Sequence, residues 1–204
     1  MSDVIASLTD RALALAQERG IARARDFHAA GIPLAYLSRL RNQGLLIQLS
    51  RGLYQIPELT GSDAAHSLAE AARLMPRGVV CLLSALRQHG LTTQLPHAVW
   101  MTLPRSARVP KTAGFPLEIV YSSEPSLSSG IEYTAIEGVQ VPIYNIAKTV
   151  ADCFKYRRRI GQDVALEALR DAIKQRKSTP AELMQAAALS RVANVMRPYV
   201  ETLA

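Results

Sequence analysis

The sequence predicts an α+β chain: three short helices closed by a two-stranded hairpin, then a larger domain that mixes strands and helices. Three observations carry that prediction. Apolar residues recur at helical spacing in three segments before Gly44. Two apolar strands flank an Arg51-Gly52 turn. Beyond Ala98, β-rich stretches separated by Pro, Gly and Ser give way again to helical spacing.

The first helix is expected over residues 3–19, with Val4, Ile5, Leu8, Ala12, Leu15 and Ala16 on one face and Gly20 as its stop. A second runs over 22–30 and closes at Gly31. Pro33 suits the first turn of a third, which reaches about Gln43 and ends at Gly44. Leu45–Ser50 reads as a strand, Leu53–Ile56 as its return, and Pro57 stops it. Three helices and a hairpin in this order are the order of a winged helix-turn-helix, assigned to residues 1–60. The stretch 57–63 (PELTGSD) reads as a linker. Helices are expected at 64–75 and 84–89, strands at 99–103, 117–121 and 139–143, and helices at 145–156, 162–175 and 180–189. Residues 61–204 thus read as a mixed α/β domain.

On the third helix, Leu34, Leu37 and Leu40 fall on one side at 100° per residue. The opposite side carries Ala35, Arg39 and Asn42, flanked by Tyr36, Ser38 and Gln43. Arginine can bond guanine bidentately, asparagine or glutamine can pair with adenine, and a small residue lets a helix sit close in a groove. Arg51 at the hairpin tip and Arg23 and Arg25 at the second helix are phosphate-contact candidates.

Charge distribution agrees. The chain of 204 residues has a formal net charge of +7, which favours a polyanionic partner. Between positions 19 and 51 stand Arg19, Arg23, Arg25, Arg39, Arg41 and Arg51 against the single acid Asp26. With 49% hydrophobic residues the chain can bury an ordinary core, and this is not the composition of a disordered chain. Its longest apolar runs are far below the roughly twenty residues of a membrane span, and its start lacks a basic region before an apolar stretch. A cytoplasmic location and no membrane partner follow as expectations. Cys81 and Cys153 each sit in an apolar stretch and read as buried free thiols.

Chemistry-bearing patterns are few downstream. His89, before Gly90, reads as a helix cap ahead of a general base, because no nucleophile with an ordered partner is evident. Lys148 and Asp152 at i,i+4 read either as a local ion pair or, with Lys155, Arg157, Arg158 and Arg159, as a phosphate-facing patch; both readings are open. Trp100 reads as core, and Tyr54 as packing between hairpin and helix. Glu118, Glu124, Glu132 and Glu137 show no spacing that fixes a metal cluster, and no GxxxxGK[ST], HExxH, GxSxG or CxxC pattern is present. No catalytic residue, metal or cofactor is expected.

Three blocks together carry a resemblance. Gly31-Ile32-Pro33 … Leu40 … Gly44-Leu45-Leu46 … Ser50-Arg51-Gly52-Leu53-Tyr54 … Pro57 resembles the amino-terminal winged-helix domain of the AbiEi family, antitoxins of type IV (abortive infection) toxin–antitoxin systems. Leu83-Ser84-Ala85-Leu86 … His89-Gly90-Leu91 resembles that family's next motif, and Gly138-Val139-Gln140-Val141 … Lys148-Thr149-Val150-Ala151-Asp152-Cys153 its carboxy-terminal signature. The resemblance implies a repressor that binds inverted repeats in its own promoter. It also implies an antitoxin that counters a nucleotidyltransferase-like toxin without a stable complex. Two other readings stay open: a transcription regulator with no toxin partner, and a nucleic-acid enzyme that uses its winged helix for targeting.

Overall fold

The computed structural model describes residues 7–61, 64–110 and 113–203. Positions 3–6 of the first expected helix, and 62–63 of the expected linker, lie outside the described residues. The fold is mixed α+β with two sheets, and the chain divides into two compact units. The first comprises Met1–Pro76, Val109–Phe115 and Thr134–Val141; the second comprises Arg77–Arg108, Pro116–Tyr133 and Pro142–Ala204.

In the first unit, α1 spans Leu8–Arg19. Its start is set by a reciprocal cap: Ser7 Oγ accepts from Asp10 N at 3.1 Å, and Asp10 Oδ2 accepts from Ser7 N at 3.0 Å. Where a helix from residue 22 was expected, the chain first forms β1, Ile21–Arg23. Ile21, Ala22 and Arg23 pair antiparallel with Gln55, Tyr54 and Leu53. The expected helix is therefore shorter: α2 is Ala24–Ala29, opened by Asp26 Oδ2 accepting from Arg23 N at 2.8 Å. Next come α3, Leu34–Asn42, and the hairpin β2, Ile47–Ser50, and β3, Leu53–Gln55. The three strands form one sheet in the order β1-β3-β2. A 3-10 turn at Pro57–Leu59 follows, then α4, Ala64–Leu74.

The core of this unit is small: Ala12, Ala16, Phe27, Ile32, Leu37, Leu40 and Leu46. Phe27 and Tyr54 meet edge-to-face with ring centroids 6.0 Å apart. A polar knot adds to it. Gln55 is fully buried and donates to Leu59 O at 3.1 Å and Glu137 Oε2 at 3.0 Å, while His66 Nδ1 lies 2.8 Å from the same carboxylate.

In the five-stranded sheet, β4 (Val79–Val80) is only two residues long but bridges two pairings. It is antiparallel to β5 (Val99–Pro104) and parallel to β8 (Val139–Tyr144). With β6 (Leu117–Ser122) and β7 (Ile131–Ile136) the sheet order is β6-β5-β4-β8-β7. Between β4 and β5 lies α5, Leu82–Gln88; after β8 come α6 (Ile146–Lys155), α7 (Arg157–Ile160), α8 (Gln162–Lys174), α9 (Pro180–Leu189) and α10 (Ala193–Leu203). The core gathers Leu82, Leu86 and Trp100 with Phe154, Leu169, Leu183 and Met196. Cys81 and Cys153 are free and buried in it, and burial pushes the Cys81 thiol up to about 12, so neither is a ready thiolate. Among the described residues no helix is long and apolar enough to cross a membrane.

Candidate nucleic-acid interface

α3 is a two-sided helix. Leu37 and Leu40 are fully buried, and each contributes up to about 3 kcal/mol of transfer free energy to the small core. Ala35, Ser38, Arg39, Asn42 and Gln43 are exposed. Leu34, expected on the leucine side, is instead 51% exposed. It is the first residue of the helix, and side chains there lean back over the preceding turn, where no core residue covers this one. Tyr36 is half-buried, with its hydroxyl 2.8 Å from Thr9 Oγ1 on α1. The Arg39 guanidinium lies 5.6 Å from the centroid of the Tyr36 ring, which holds the arginine against the helix surface. Arg41 donates to Gln48 Oε1 at 2.8 Å and so ties α3 to β2.

Arg51 is exposed at the β2–β3 turn. The turn is anchored from outside the hairpin, because Ala24 N donates to Gly52 O at 2.8 Å. Pairing of β2 with β3 shifts register between Gln48 and Ser50, an irregularity of the kind that increases local twist.

Arg23 and Arg25 occupy different environments. Arg25 is exposed, 3.9 Å from Asp26. Arg23 ends β1 and is half-buried; burial lowers its pKa, and Arg25 and Arg73 lower it further against the pull of Asp26. Arg73, on α4, was not singled out from sequence. Its guanidinium donates to Arg19 O at 2.8 Å and leaves Nε unpaired. Burial lowers its pKa first, then Asp26 opposes and Arg19 and Arg25 add to the lowering. Arg23, Arg25 and Arg73 thus share the field of the single carboxylate of Asp26. Such crowding is unfavourable in the free chain and is relieved by an anion such as a phosphate.

The second basic run is not one surface. Lys148 is buried, with Nζ 2.5 Å from Asp152 Oδ2, 3.2 Å from Ser126 Oγ and 3.4 Å from Ser190 Oγ, and 4.8 Å from the centroid of the Tyr144 ring. Burial pushes its pKa down, and Asp152 resists that shift. Arg157 donates to Phe154 O at 2.7 Å. Arg159 pairs with Glu118, donates to Ile119 O at 3.0 Å and stacks on Trp100. Lys155 and Arg158 remain exposed.

His89, Glu124 and Glu137 are each engaged by protein groups. His89 caps α5, and its Nε2 lies 2.7 Å from Tyr144 O. Glu124 accepts from Ser128, and Glu137 holds His66 and Gln55. Among the described residues no group of three or more His, Cys, Asp or Glu could hold a metal ion.

Residues 10–57 match the family described as "Transcriptional regulator, AbiEi antitoxin". No curated protein matches the sequence. Among solved structures, the crystal structure of the RV2827C protein from Mycobacterium tuberculosis is similar in fold, with a TM-score of 0.63 over 96% of this chain and 78% of that one, at 14% identity. At that identity the likeness concerns fold alone. The matched segment holds most of α1 and continues through β3, so over residues 10–57 the chain is similar to the AbiEi antitoxin family of transcriptional regulators.

Proposed function

We propose that this chain is a DNA-binding autorepressor and the antitoxin of a type IV toxin–antitoxin system, acting in the cytoplasm. In this reading α1 to α3 and the β1-β3-β2 sheet form a winged helix-turn-helix. α3 enters the major groove, Arg39 and Asn42 meet base edges, Ala35 allows close approach, and Ser38 and Gln43 flank them. Arg51 on the wing and Arg23 and Arg25 meet phosphates, and an inverted repeat binds two copies. The observation that carries the reading is the two-sidedness of α3: Leu37 and Leu40 fully buried, with Ala35, Arg39 and Asn42 exposed opposite them.

The partner on the antitoxin side is a nucleotidyltransferase-like toxin, countered without a stable complex; the family match supports a regulator and antitoxin role. A nuclease footprint on the protein's own upstream region tests repression. A protected inverted repeat is expected, and a uniformly unprotected region overturns the repressor reading. Co-expression with a nucleotidyltransferase-like gene from the adjacent reading frame tests the antitoxin half, which fails if growth is not restored.

A further inference from the structure

In the second unit, the loop after β6, the end of α6 and the α9–α10 turn enclose a cleft of about 510 Å³, within the size range of small-molecule sites. Three cations reach its wall from separate parts of the chain: Arg105 just past β5, Lys155 at the end of α6 and Arg191 between α9 and α10. All three are exposed, and none has an ion-pair partner among the described residues. The one carboxylate on the wall, Glu124, is turned back on its own loop, where it accepts from Ser128 N at 3.3 Å and Ser128 Oγ at 2.5 Å. The cleft therefore carries uncompensated positive charge. Arg191 holds φ +59, in a position after a helix end where glycine is the low-strain choice, so its guanidinium comes at a backbone cost.

A neutral donor completes the wall. Lys148 Nζ has no lone pair, so at 3.2 Å it donates to Ser126 Oγ. Ser126 accepts that bond, and its own hydroxyl proton remains for an acceptor in the cleft. Ser190 differs, because its hydroxyl already donates to Asp152 Oδ1 at 2.8 Å.

We propose that this cleft binds the phosphoryl group of a small phosphate ester, with Arg105, Lys155 and Arg191 as the cationic clamp and Ser126 as hydroxyl donor. Guanidinium forks match phosphate oxygens in geometry as well as charge. The site is built wholly from residues of the second unit, whereas α3 belongs to the first.

The test is calorimetric titration of the full chain with inorganic phosphate and with adenosine 5′-monophosphate. One saturable site is expected. Arg191→Ala and Lys155→Ala should each weaken it by about tenfold, the loss of one charge-assisted contact, and Ser126→Ala should weaken it several-fold. Arg170→Ala removes an exposed cation of α8 that does not line the cleft and should leave binding unchanged. Thermal unfolding of each variant confirms that it is folded. The proposal is overturned if neither probe saturates at millimolar concentration, or if Arg170→Ala loses as much as Arg191→Ala. It is also overturned if a single-stranded oligonucleotide binds in an Arg191-dependent way while the monophosphate does not, which would make the wall a nucleic-acid surface.

Discussion

Gly20 packs against the backbone of Glu137 so closely that a Cβ placed on it would collide with the Glu137 carbonyl oxygen and lie 2.7 Å from its carbonyl carbon. Gly20 ends α1 at φ +64, and Glu137 is the residue whose carboxylate receives Gln55 and His66. One contact thus joins the helix end, the sheet and the polar knot of the first unit.

Gly20→Ala is expected to destabilise the chain by more than about 2 kcal/mol, since a left-handed backbone alone costs about 1–2 kcal/mol and here the collision adds to it. Gly44→Ala is the control: it shares a positive φ of +74 but meets nothing within 4 Å, so only the conformational cost, about 1 kcal/mol, should appear. Urea denaturation midpoints of the two variants measure the difference, and equal losses would show that the Glu137 contact relaxes freely.

Arg39→Ala should weaken operator binding by about 1–3 kcal/mol and relax sequence preference, as for a lost bidentate base contact. Gel shifts on operator and random duplexes separate the cases. An equal loss on both would make Arg39 a phosphate contact.

Arg51→Ala should lower affinity for all duplexes and reduce the slope of log K against log salt by about 1. Titrations across a salt series read that slope directly. An unchanged slope takes the β2–β3 turn out of the interface.

Asp152→Ala leaves the buried Lys148 ammonium without its carboxylate, and the expected loss is about 3–5 kcal/mol. Replacing both partners together, with Lys148→Met and Asp152→Leu, should cost much less, because the remaining burial is apolar. Comparing the single and double variants by denaturation gives the answer; a double variant no better than the single one would mean that the hydrogen bonds to Ser126 and Ser190 dominate.

Acid should weaken the α9 cap. Glu182 accepts from Thr179 N at 2.8 Å and Ser178 Oγ at 3.1 Å, and these bonds hold its carboxyl below the ordinary value of 4.5. The folded pKa is depressed, so the stabilisation is present above 4.5 and is lost as pH falls through the folded value. The melting-temperature gap between the wild type and Glu182→Gln should be full at neutral pH and close in acid. A gap that stays constant on acidification would rule out the charged cap.

Where local chemistry decides, the sequence was a sufficient guide. Gly20 stops α1 where expected, the Arg51-Gly52 turn lies between β2 and β3, and α9 spans Pro180–Leu189, opened by a Thr179–Glu182 capping box. The leucine and polar sides of α3 were readable for the same reason, since helical spacing alone assigns them. The elements it hid are those that exist only through distant partners. The three residues of β1 are a strand because they pair with β3, and the two of β4 because β5 and β8 flank them. β7, α7 and α10, the last with Pro198 inside it, were also not expected.

Sequence by itself determined where α1 stops and where α9 starts, the hairpin turn, and which side of α3 carries Leu37 and Leu40, because capping, turn preference and periodicity act over a few residues. Tertiary structure alone decided which cations are available. Lys148 and Lys155 stand seven positions apart on one helix, yet the first is buried against Asp152 and the second is exposed at the wall of a cleft with Arg105 and Arg191. Burial and charge pairing depend on what the rest of the chain brings alongside, and no local pattern encodes that.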